Sequence, residues 1–325
     1  MSDRPIVMVT ETIDPAGIER LGEFARVVVP AKPEEAEICE MAMDVDALLV
    51  RVAPVTTRVI DASPKLRHIQ KHGVGVDNID VEHATARGIA VSVTPEANSA
   101  AVAEHAVATA LAVSKRLAAQ DKVVRDGHWR PEMTDAVHEL VGRTVGVVGG
   151  GRVGRRVAHA LVHGFGMRGL VFDPYLAQDD LGGEDLELVP SLPALLNQAD
   201  AVSLHVPLTP ATRHLIDAEA LRAMRSTAVL VNTCRGAVVD EAALADALHE
   251  RRIAGAAIDV FEQEPPLTSS PLRVAPNLLM SPHFAGLTVE SSRRMALHSA
   301  EEIWRVLGGK QARWCQNLPA TAGTD

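Results

Sequence analysis

The sequence predicts an α/β protein built from two doubly wound, parallel-sheet domains. Short runs of Val, Ile and Leu alternate with helical segments along most of the 325 residues, and this alternation is typical of strand–helix–strand units. A glycine-rich turn, residues 149–154, follows one of these runs near the middle of the chain. Distinctive polar residues come directly after other runs, at the strand ends where an open parallel sheet has its ligand crevice.

The first 97 residues contain five strand-like runs, with a helical or turn-like segment at residues 14–24 between the first two. Because strands and helical segments alternate here, we expect a small α/β domain of its own, with helices on both faces of a parallel sheet. The five runs are residues 5–10, 27–29, 47–50, 66–71 and 89–93.

Residues 100–117 consist almost entirely of Ala, Val and Leu. A helix that is apolar all round is buried, so we expect this one to lie between domains or subunits. Glu104 and His105 interrupt the apolar run and need polar partners there.

Residues 145–173 carry a dinucleotide-binding pattern. A β-branched run is followed by Gly149, Gly151 and Gly154, a helical segment, a second apolar run and Asp173, which comes 19 residues after the last glycine. The three glycines allow a tight turn, close approach of a pyrophosphate and close packing of the helix, whose N–H groups then face the phosphates. A carboxylate about 20 residues further on suits the ribose hydroxyls and repels a 2′-phosphate, so NAD is predicted. The alternatives are a glycine-rich loop in some other α/β protein and a methyltransferase with a similar loop.

Further strand-like runs follow at residues 201–206, 228–232, 256–260 and 278–281, and residues 290–307 read as a helix. Three polar residues near the ends of these runs, Arg235, Glu264 and His283, suit redox chemistry on a carbonyl beside a carboxylate. An arginine can clamp the carboxylate, a histidine can exchange a proton with the carbonyl oxygen, and a glutamate can orient the histidine. The alternative is three ordinary strand-end residues in a protein with 13 histidines.

Composition excludes several function classes. The formal net charge is −10, which argues against a nucleic-acid partner. No apolar run reaches 18 residues and the N-terminus starts a strand, so we expect neither a membrane span nor a signal peptide. The three widely spaced cysteines predict free thiols in a reducing cytoplasm. We expect no metal site, since His159 and His163 have helical spacing but no acid or cysteine near them in sequence completes a ligand set.

Long stretches of the chain resemble the D-isomer-specific 2-hydroxyacid dehydrogenases, and the resemblance extends nearly from end to end. It implies a flavodoxin-like substrate domain from residues 1–97 and 291–325, and a Rossmann NAD-binding domain from residues 98–290. The stretches are HGVGVDNIDV (72–81), ANSAAVAEHAV (97–107), RTVGVVGGGRVGRRVA (143–158), LHVPLTPATRHLID (204–217), VNTCRGAVVDEAAL (231–244), AAIDVFEQEPP (256–266) and SPHFAG (281–286).

The resemblance also implies a role for each matching residue. Arg235 would bind the substrate carboxylate, Glu264 would support His283, and His283 would be the general acid and base. Asp259 would accept the nicotinamide carboxamide, and the N–H groups of Val74 and Gly75 would bind the substrate carboxylate. The other implied cofactor contacts are Arg152, Val153, His205, Pro207, Thr212, Thr233 and Cys234, beside Gly149, Gly151, Gly154 and Asp173.

Some positions depart from the commoner family pattern. Gly150 replaces the usual Leu or Phe, and Cys234 stands where Ala or Ser is commoner, as a small filler or an oxidisable thiol. Lys71 and His72 replace a frequent arginine–alanine pair, which weakens the transfer of the phosphoglycerate substrate. Glu264 disfavours the formate dehydrogenase branch, which carries Gln there.

The sequence therefore predicts a cytoplasmic, homodimeric, NAD-dependent oxidoreductase that interconverts a 2-oxo acid and a D-2-hydroxy acid. Arg51 and Lys71 follow or end first-domain strands and are predicted to contact the substrate, favouring short polar or doubly anionic acids; the alternative is that they are surface cations. No C-terminal regulatory domain is expected, because the chain stops soon after Pro319. Two other functions stay open: D-3-phosphoglycerate dehydrogenase proper, and a non-catalytic, NAD-sensing, corepressor-like binding protein.

Overall fold

The computed structural model describes residues 4–129, 137–182 and 185–317. Its contacts divide the chain into two units, Met1–Asn98 with Leu287–Asp325, and Ser99–Gly286. Each unit is built on its own parallel β-sheet with helices between the strands.

The sheet of the first unit has five parallel strands in the order β2-β1-β3-β4-β5, which is the flavodoxin-like order. Helices α1 Pro15–Gly22, α2 Glu35–Met41, α3 Thr57–Asp61 and α4 Val81–Ala86 connect the strands. In the register of the sheet, Val50 pairs with Lys71, so the loops that follow β3 and β4 leave the same edge. The strands are β1 Ile6–Val9, β2 Arg26–Val28, β3 Ala47–Val50, β4 His68–Lys71 and β5 Ala90–Ser92.

The sheet of the second unit has seven parallel strands in the order β12-β11-β10-β9-β6-β7-β8. This is the doubly wound order of a dinucleotide-binding fold, in which the first strand of the unit, β6, lies near the centre of the sheet. The strands are β6 Thr144–Val148, β7 Arg168–Phe172, β8 Leu186–Leu188, β9 Ala201–Leu204, β10 Val229–Asn232, β11 Gly255–Ile258 and β12 Leu278–Met280.

Helices cover both faces of this second sheet. One core cluster joins α5 and α7 to the sheet through residues such as Ala106, Val147 and Leu161. Another joins the remaining face to α8, α9 and α10 through residues such as Leu195 and Leu244. The helices are α5 Ser99–Ser114, α6 Leu117–Arg125, α7 Arg152–Phe165, α8 Leu192–Leu196, α9 Ala218–Ala223 and α10 Glu241–His249.

The last helix, α11 Val289–Leu307, returns to the first unit. A Cβ atom on Gly17 would lie only 2.7 Å from the Cβ of Ala296, so the glycine allows α1 and α11 to pack closely. The chain then reaches the edge strand β5, where Gln316 donates its N–H to Val91 O (2.8 Å) and Asn317 Oδ1 accepts the Val91 N–H (2.9 Å). These bonds cover an edge that would otherwise expose unpaired backbone groups.

The predicted two-domain α/β fold is confirmed, and most predicted strands differ from the observed ones by one or two residues. The long apolar helix is shorter than predicted: it ends at Ser114, because Arg116 takes a left-handed backbone conformation (φ 54°) that a helix cannot continue through. Six of its sixteen residues are buried, while Glu104 and Ala108 face solvent. Strand β8, Leu186–Leu188, was not predicted. Among the described residues, no helix combines the length and apolar character needed to cross a membrane.

Candidate active site

The glycine loop lies between β6 and α7, as the sequence predicts. Gly149 has a positive φ of 97°, and a Cβ atom there would lie 2.5 Å from His205 O. A Cβ atom on Gly154 would lie 2.0 Å from Gly149 O. The two glycines therefore let the turn, the next strand end and the helix approach one another more closely than any side chain permits.

Gly151 precedes the first turn of α7 and meets open space, since a Cβ atom there would have no neighbour within 4 Å. The first turn of this 14-residue helix carries no acidic residue. The N–H groups of its first turn and its positive dipole end consequently face a space that an anion can enter. This arrangement fits the pyrophosphate of a dinucleotide, and Arg152 and Val153 contribute the first helical N–H groups.

Asp173 follows β7 and is bound to the glycine loop. Its Oδ2 atom accepts the N–H of Gly150 (3.0 Å), and its Oδ1 atom accepts the N–H of Tyr175 (3.0 Å). A carboxylate has about four acceptor sites, so the two backbone bonds fix its direction and leave capacity for ribose hydroxyls.

His283 and Glu264 form a hydrogen-bonded pair. His283 Nδ1 lies 2.7 Å from Glu264 Oε2, and Glu264 Oε1 accepts the N–H of Phe261 (3.1 Å). Burial raises the pKa of Glu264, but the bonds from His283 and Phe261 and the nearby charges of His283 and Arg235 outweigh burial and lower the pKa below its ordinary value. Glu264 is therefore ionised near neutral pH, and the imidazole is held by its Nδ1 atom with Nε2 left to face a reactant.

The catalytic candidate His283 has a strained backbone, with φ at 54°. Its N–H donates to Asp259 O (2.7 Å). The Asp259 carboxylate, only 1% exposed, accepts the N–H groups of Phe284 and Ala285 (both 2.8 Å) and the hydroxyl of Ser281 (2.5 Å). Asp259 thus fixes the loop that carries the histidine from both sides.

The predicted role of Asp259, acceptance of the nicotinamide carboxamide, stays a prediction. Ser281 extends the cluster to His105 on α5, whose Nε2 atom lies 3.0 Å from the serine hydroxyl. The sequence analysis expected a polar partner for His105 but did not identify it. The only sequence signal for Ser281 was its position two residues before His283.

Arg235 lies between β10 and the short helical turn Gly236–Val238. A Cβ atom on Gly236 would lie 1.9 Å from the carbonyl carbon of Phe261, so only glycine brings this loop against the loop that carries Glu264. The charge of Arg235 contributes to the lowered pKa of Glu264, in keeping with the close approach of the two loops. Gly236 is the positioning residue that the sequence analysis missed.

The other predicted cofactor contacts also lie at the carboxyl ends of the strands. Thr212 Oγ1 donates to Pro207 O (2.6 Å) and shapes the loop after β9. His205 Nε2 lies 2.8 Å from Ser203 Oγ, and burial lowers the pKa of His205 to about 3, so the ring is neutral. Within the described part of the chain, Thr233 Oγ1 is buried without a hydrogen-bond partner. A buried hydroxyl without a hydrogen-bond partner, at the carboxyl ends of the strands, fits a site in which a polar cofactor supplies the missing bond.

Cys234 is a half-buried, free cysteine whose Sγ donates to Asn232 Oδ1 (3.1 Å). Burial raises its pKa, and this effect exceeds the opposing influence of the backbone bonds and of Arg235. A protonated thiol is a poor nucleophile, and the choice between a small filler and an oxidisable thiol stays a prediction.

The predicted substrate residues of the first unit follow or end β3 and β4. Lys71 is 9% exposed, and its Nζ donates to Arg51 O (2.6 Å) and also bonds Asn78 Oδ1. Val74 is exposed, and Gly75 is half-buried. Lys71 thus has a structural role in its own unit, and substrate contacts by Arg51, Lys71, Val74 and Gly75 remain predictions.

Glu11 organises the turn beside Arg51, and sequence reasoning missed it. Its carboxylate accepts the N–H groups of Arg51 (2.9 Å), Val52 (2.6 Å) and Ala53. The only sequence signal was an acid shortly after the first strand.

The histidine pair on α7 is exposed and stacked, with ring centroids 5.5 Å apart. Asp185 lies 3.6 Å from His163 Nε2, an acid that sequence spacing alone did not place there. Across the residues described, no group of three or more His, Cys, Asp or Glu side chains is arranged to hold a metal ion.

Comparisons with known proteins identify the family. Residues 107–285 match the family described as D-isomer specific 2-hydroxyacid dehydrogenase, NAD binding domain. A glyoxylate reductase from Korarchaeum cryptofilum is 42% identical over 92% of this chain and 92% of its own length. A D-3-phosphoglycerate dehydrogenase from Synechocystis is 40% identical over 96% of this chain, which spans only 56% of that relative.

A solved structure gives the same result at the level of the fold. The D-lactate dehydrogenase from Aquifex aeolicus, complexed with NAD and lactic acid, superposes with a TM-score of 0.87 and 27% identity, covering 97% of this chain and 100% of the other. The chain therefore belongs to the D-isomer-specific 2-hydroxyacid dehydrogenases, a family of NAD(P)-dependent oxidoreductases, as its motifs predicted.

Proposed function

We propose that this protein catalyses the NAD-linked interconversion of a short, polar 2-oxo acid and its D-2-hydroxy acid. The observation that carries the proposal is the His283–Glu264 pair (2.7 Å), held in place by the buried Asp259 carboxylate and next to Arg235. A non-catalytic NAD sensor is not favoured, because the relatives that the chain matches are named as dehydrogenases and reductases.

The residues divide the work between them. The bound nicotinamide cofactor would supply or accept a hydride. Arg235 would hold the substrate carboxylate and would orient the adjacent carbonyl. His283 would transfer a proton between its Nε2 atom and the C2 oxygen, while the Glu264 carboxylate stabilises the positive charge on the ring.

A panel of 2-oxo acids assayed with NADH tests this proposal. We expect glyoxylate or hydroxypyruvate to give a higher kcat/KM than phenylpyruvate, and Arg235→Ala to abolish the use of carboxylate substrates. Lys71→Ala and Arg51→Ala are assayed on the same panel. A substrate role predicts a changed order of kcat/KM values among the 2-oxo acids, whereas a purely structural role of Lys71 predicts an unchanged order. Turnover that is absent on every 2-oxo acid, from a folded protein that binds NADH, would overturn the proposal.

We also propose a cytoplasmic homodimer. The support is α6, which has no buried residue, and the exposed apolar side chains on and beside it: Leu117 (50% exposed), Val124 (57%) and Trp129 (76%). A second copy of the chain would remove this apolar surface from water. Sedimentation at micromolar concentration tests the dimer, and a single 34.6 kDa species would contradict it. Three free cysteines suit a reducing compartment.

A further inference from the structure

His105 is a polar side chain on the largely apolar helix α5. Glu104 and His105 are the two ionisable residues of this helix, and Glu104 faces solvent. The helix packs against β10, β11 and β12, the strands whose carboxyl ends lead to the candidate catalytic residues. The His105 side chain is only 25% exposed, and a polar group that is mostly buried needs a hydrogen-bond partner. Its partner therefore indicates its role.

The contacts of His105 fix which of its ring nitrogens carries a proton. Ser281 Oγ donates its hydrogen to Asp259 Oδ1 (2.5 Å), and a serine hydroxyl has one hydrogen to donate. Towards His105 Nε2, 3.0 Å away, the hydroxyl must therefore act as the acceptor, and Nε2 must carry the proton. The result is a directed chain of two hydrogen bonds, from His105 to Ser281 and from Ser281 to Asp259.

This chain ends on residues that hold the backbone of His283. The His283 N–H donates to Asp259 O (2.7 Å) and to Ser281 O (3.1 Å). The Asp259 carboxylate also accepts the N–H groups of the two residues that follow His283. His283 has a φ of 54°, a conformation that persists in a non-glycine residue only where the surroundings hold it. Ser281 and Asp259 are such surroundings.

The Asp259 carboxylate depends on donors directed at it, because it is only 1% exposed. The three bonds that it accepts come from neutral groups, two backbone N–H groups and the Ser281 hydroxyl. His105 Nε2 lies 3.9 Å from Asp259 Oδ1, the oxygen that the hydroxyl contacts. Hydrogen bonds in a chain polarise and strengthen one another. Loss of the His105 donor should therefore weaken the bond by which Ser281 holds the carboxylate.

We propose that His105 is a positioning residue for His283: donation from its Nε2 atom to Ser281 sets, through Asp259, the backbone conformation and the ring orientation of His283. The proposal rests on the proposed function, in which His283 exchanges a proton with the substrate. A displacement of about 1 Å at a catalytic group can lower the rate roughly a hundredfold. Loss of the donor should therefore appear in kcat, with little change in KM or in NADH affinity.

His105→Leu and His105→Gln form a matched pair of variants. Leucine removes the donor, whereas glutamine keeps a side-chain N–H, and both residues suit a helix. We expect kcat to fall roughly tenfold or more in His105→Leu and to stay within about twofold of wild type in His105→Gln. Glu104→Gln is the control on the same helix, since it changes the exposed ionisable neighbour, and it should have the wild-type kcat.

Ser281→Ala tests whether the effect passes through the serine, and it carries the test if His105→Leu does not fold. It should lower kcat at least as much as His105→Leu does. Adding His105→Leu to it should cause no further loss, because the bond between the two residues is already absent. If the two losses multiply in the double variant, the route through Ser281 is wrong and the proposal fails.

A spectroscopic measurement separates this proposal from the proposed function. In protein with isotopically labelled histidine and bound NADH, the His283 ring signals in the NMR spectrum are those that disappear in His283→Ala. They should shift in His105→Leu and keep their positions in His105→Gln. Absence of turnover in the wild type would refute the proposed function, and these signals would then decide the proposal alone. Unshifted His283 signals in His105→Leu, a wild-type kcat in that variant, or equal losses of kcat in the leucine and glutamine variants would each overturn it.

Discussion

Substitution of single glycines along α7 should separate cofactor binding from folding. In Gly154→Ala, the new Cβ atom would lie 2.0 Å from Gly149 O and 2.9 Å from Val147 Cγ1, whereas real Cβ atoms stay at least 3.0 Å from such neighbours. The loop and the helix must therefore move apart by about 1 Å. That displacement misaligns the N–H groups at the start of α7, and hydrogen bonds to an anion are sensitive to distance and angle.

The magnitude follows from the number of bonds affected. Loss of two hydrogen bonds to a charged pyrophosphate, at about 1.5–3 kcal/mol each, corresponds to roughly a hundredfold or greater loss of affinity for NADH. Gly151→Ala should give a similar loss without strain in the protein, because its methyl group meets no neighbour within 4 Å and occupies the space into which the phosphates would come. Gly164→Ala is the matched control on the same helix, since its methyl group also meets nothing within 4 Å. It should stabilise the fold by about 0.4–1 kcal/mol.

Two measurements decide the outcome. NADH fluorescence titration gives the affinity, and thermal unfolding without cofactor gives the stability of each variant. We expect weak NADH binding by Gly151→Ala and Gly154→Ala, and wild-type binding by Gly164→Ala. If Gly151→Ala and Gly154→Ala are folded and bind NADH as tightly as wild type does, the assignment of the cofactor site is wrong.

Two further predictions concern catalysis. His283→Ala should lower kcat by ~10²–10⁴, the usual scale for loss of a general acid, while NADH affinity is retained; near wild-type turnover would refute the role of His283. Asp173 should make kcat/KM higher with NADH than with NADPH, because its carboxylate repels a 2′-phosphate, and Asp173→Ala should reduce that ratio. Equal efficiency with both cofactors in the wild-type enzyme would contradict this.

The sequence could predict those parts of the fold that have strong local signals. The β-branched runs and the glycine fingerprint are such signals, and their strands lie close to the predicted residues. Strand β8 is Leu-Glu-Leu, and its central charged residue leaves no continuous apolar run to mark it. The break at Arg116 has no signature either, because glycine or asparagine is the usual sign of a left-handed helix end.

For the site, residue types at strand ends together with the family resemblance predicted the trio Arg235, Glu264 and His283. The supporting contacts could not be predicted in the same way, because they join segments far apart in sequence. Gly236 is needed only because Phe261 lies against it, and Glu11 is needed only because three N–H groups of a distant turn converge on it. Such requirements depend on which distant segments pack together, and a local sequence pattern carries no information about that.

Two buried histidines should make the first unit sensitive to acid. His68 is fully buried and bonded to Ser92, and His72 is 7% exposed, with no hydrogen-bond partner for either ring nitrogen among the described residues. Burial lowers the pKa of His68 to about 3 and, with help from the Arg51 charge, that of His72 to about 4, both from 6.5. Between pH 6.5 and pH 4, the unfolded chain therefore binds more protons than the folded one, so stability is fully present above pH 6.5 and falls as the pH falls.

At pH 5 the loss is about 2 kcal/mol for each ring, at 1.36 kcal/mol per pH unit. Urea unfolding of wild type and His72→Leu at pH 8, 6.5 and 5 measures this, and the difference at pH 8 serves as the reference for the packing effect of leucine. From pH 8 to pH 5, the stability of the variant should improve by about 2 kcal/mol relative to wild type, because leucine cannot be protonated. Parallel pH profiles for the two proteins would refute the reasoning, since they would mean that His72 takes up a proton as readily in the folded chain as in the unfolded one.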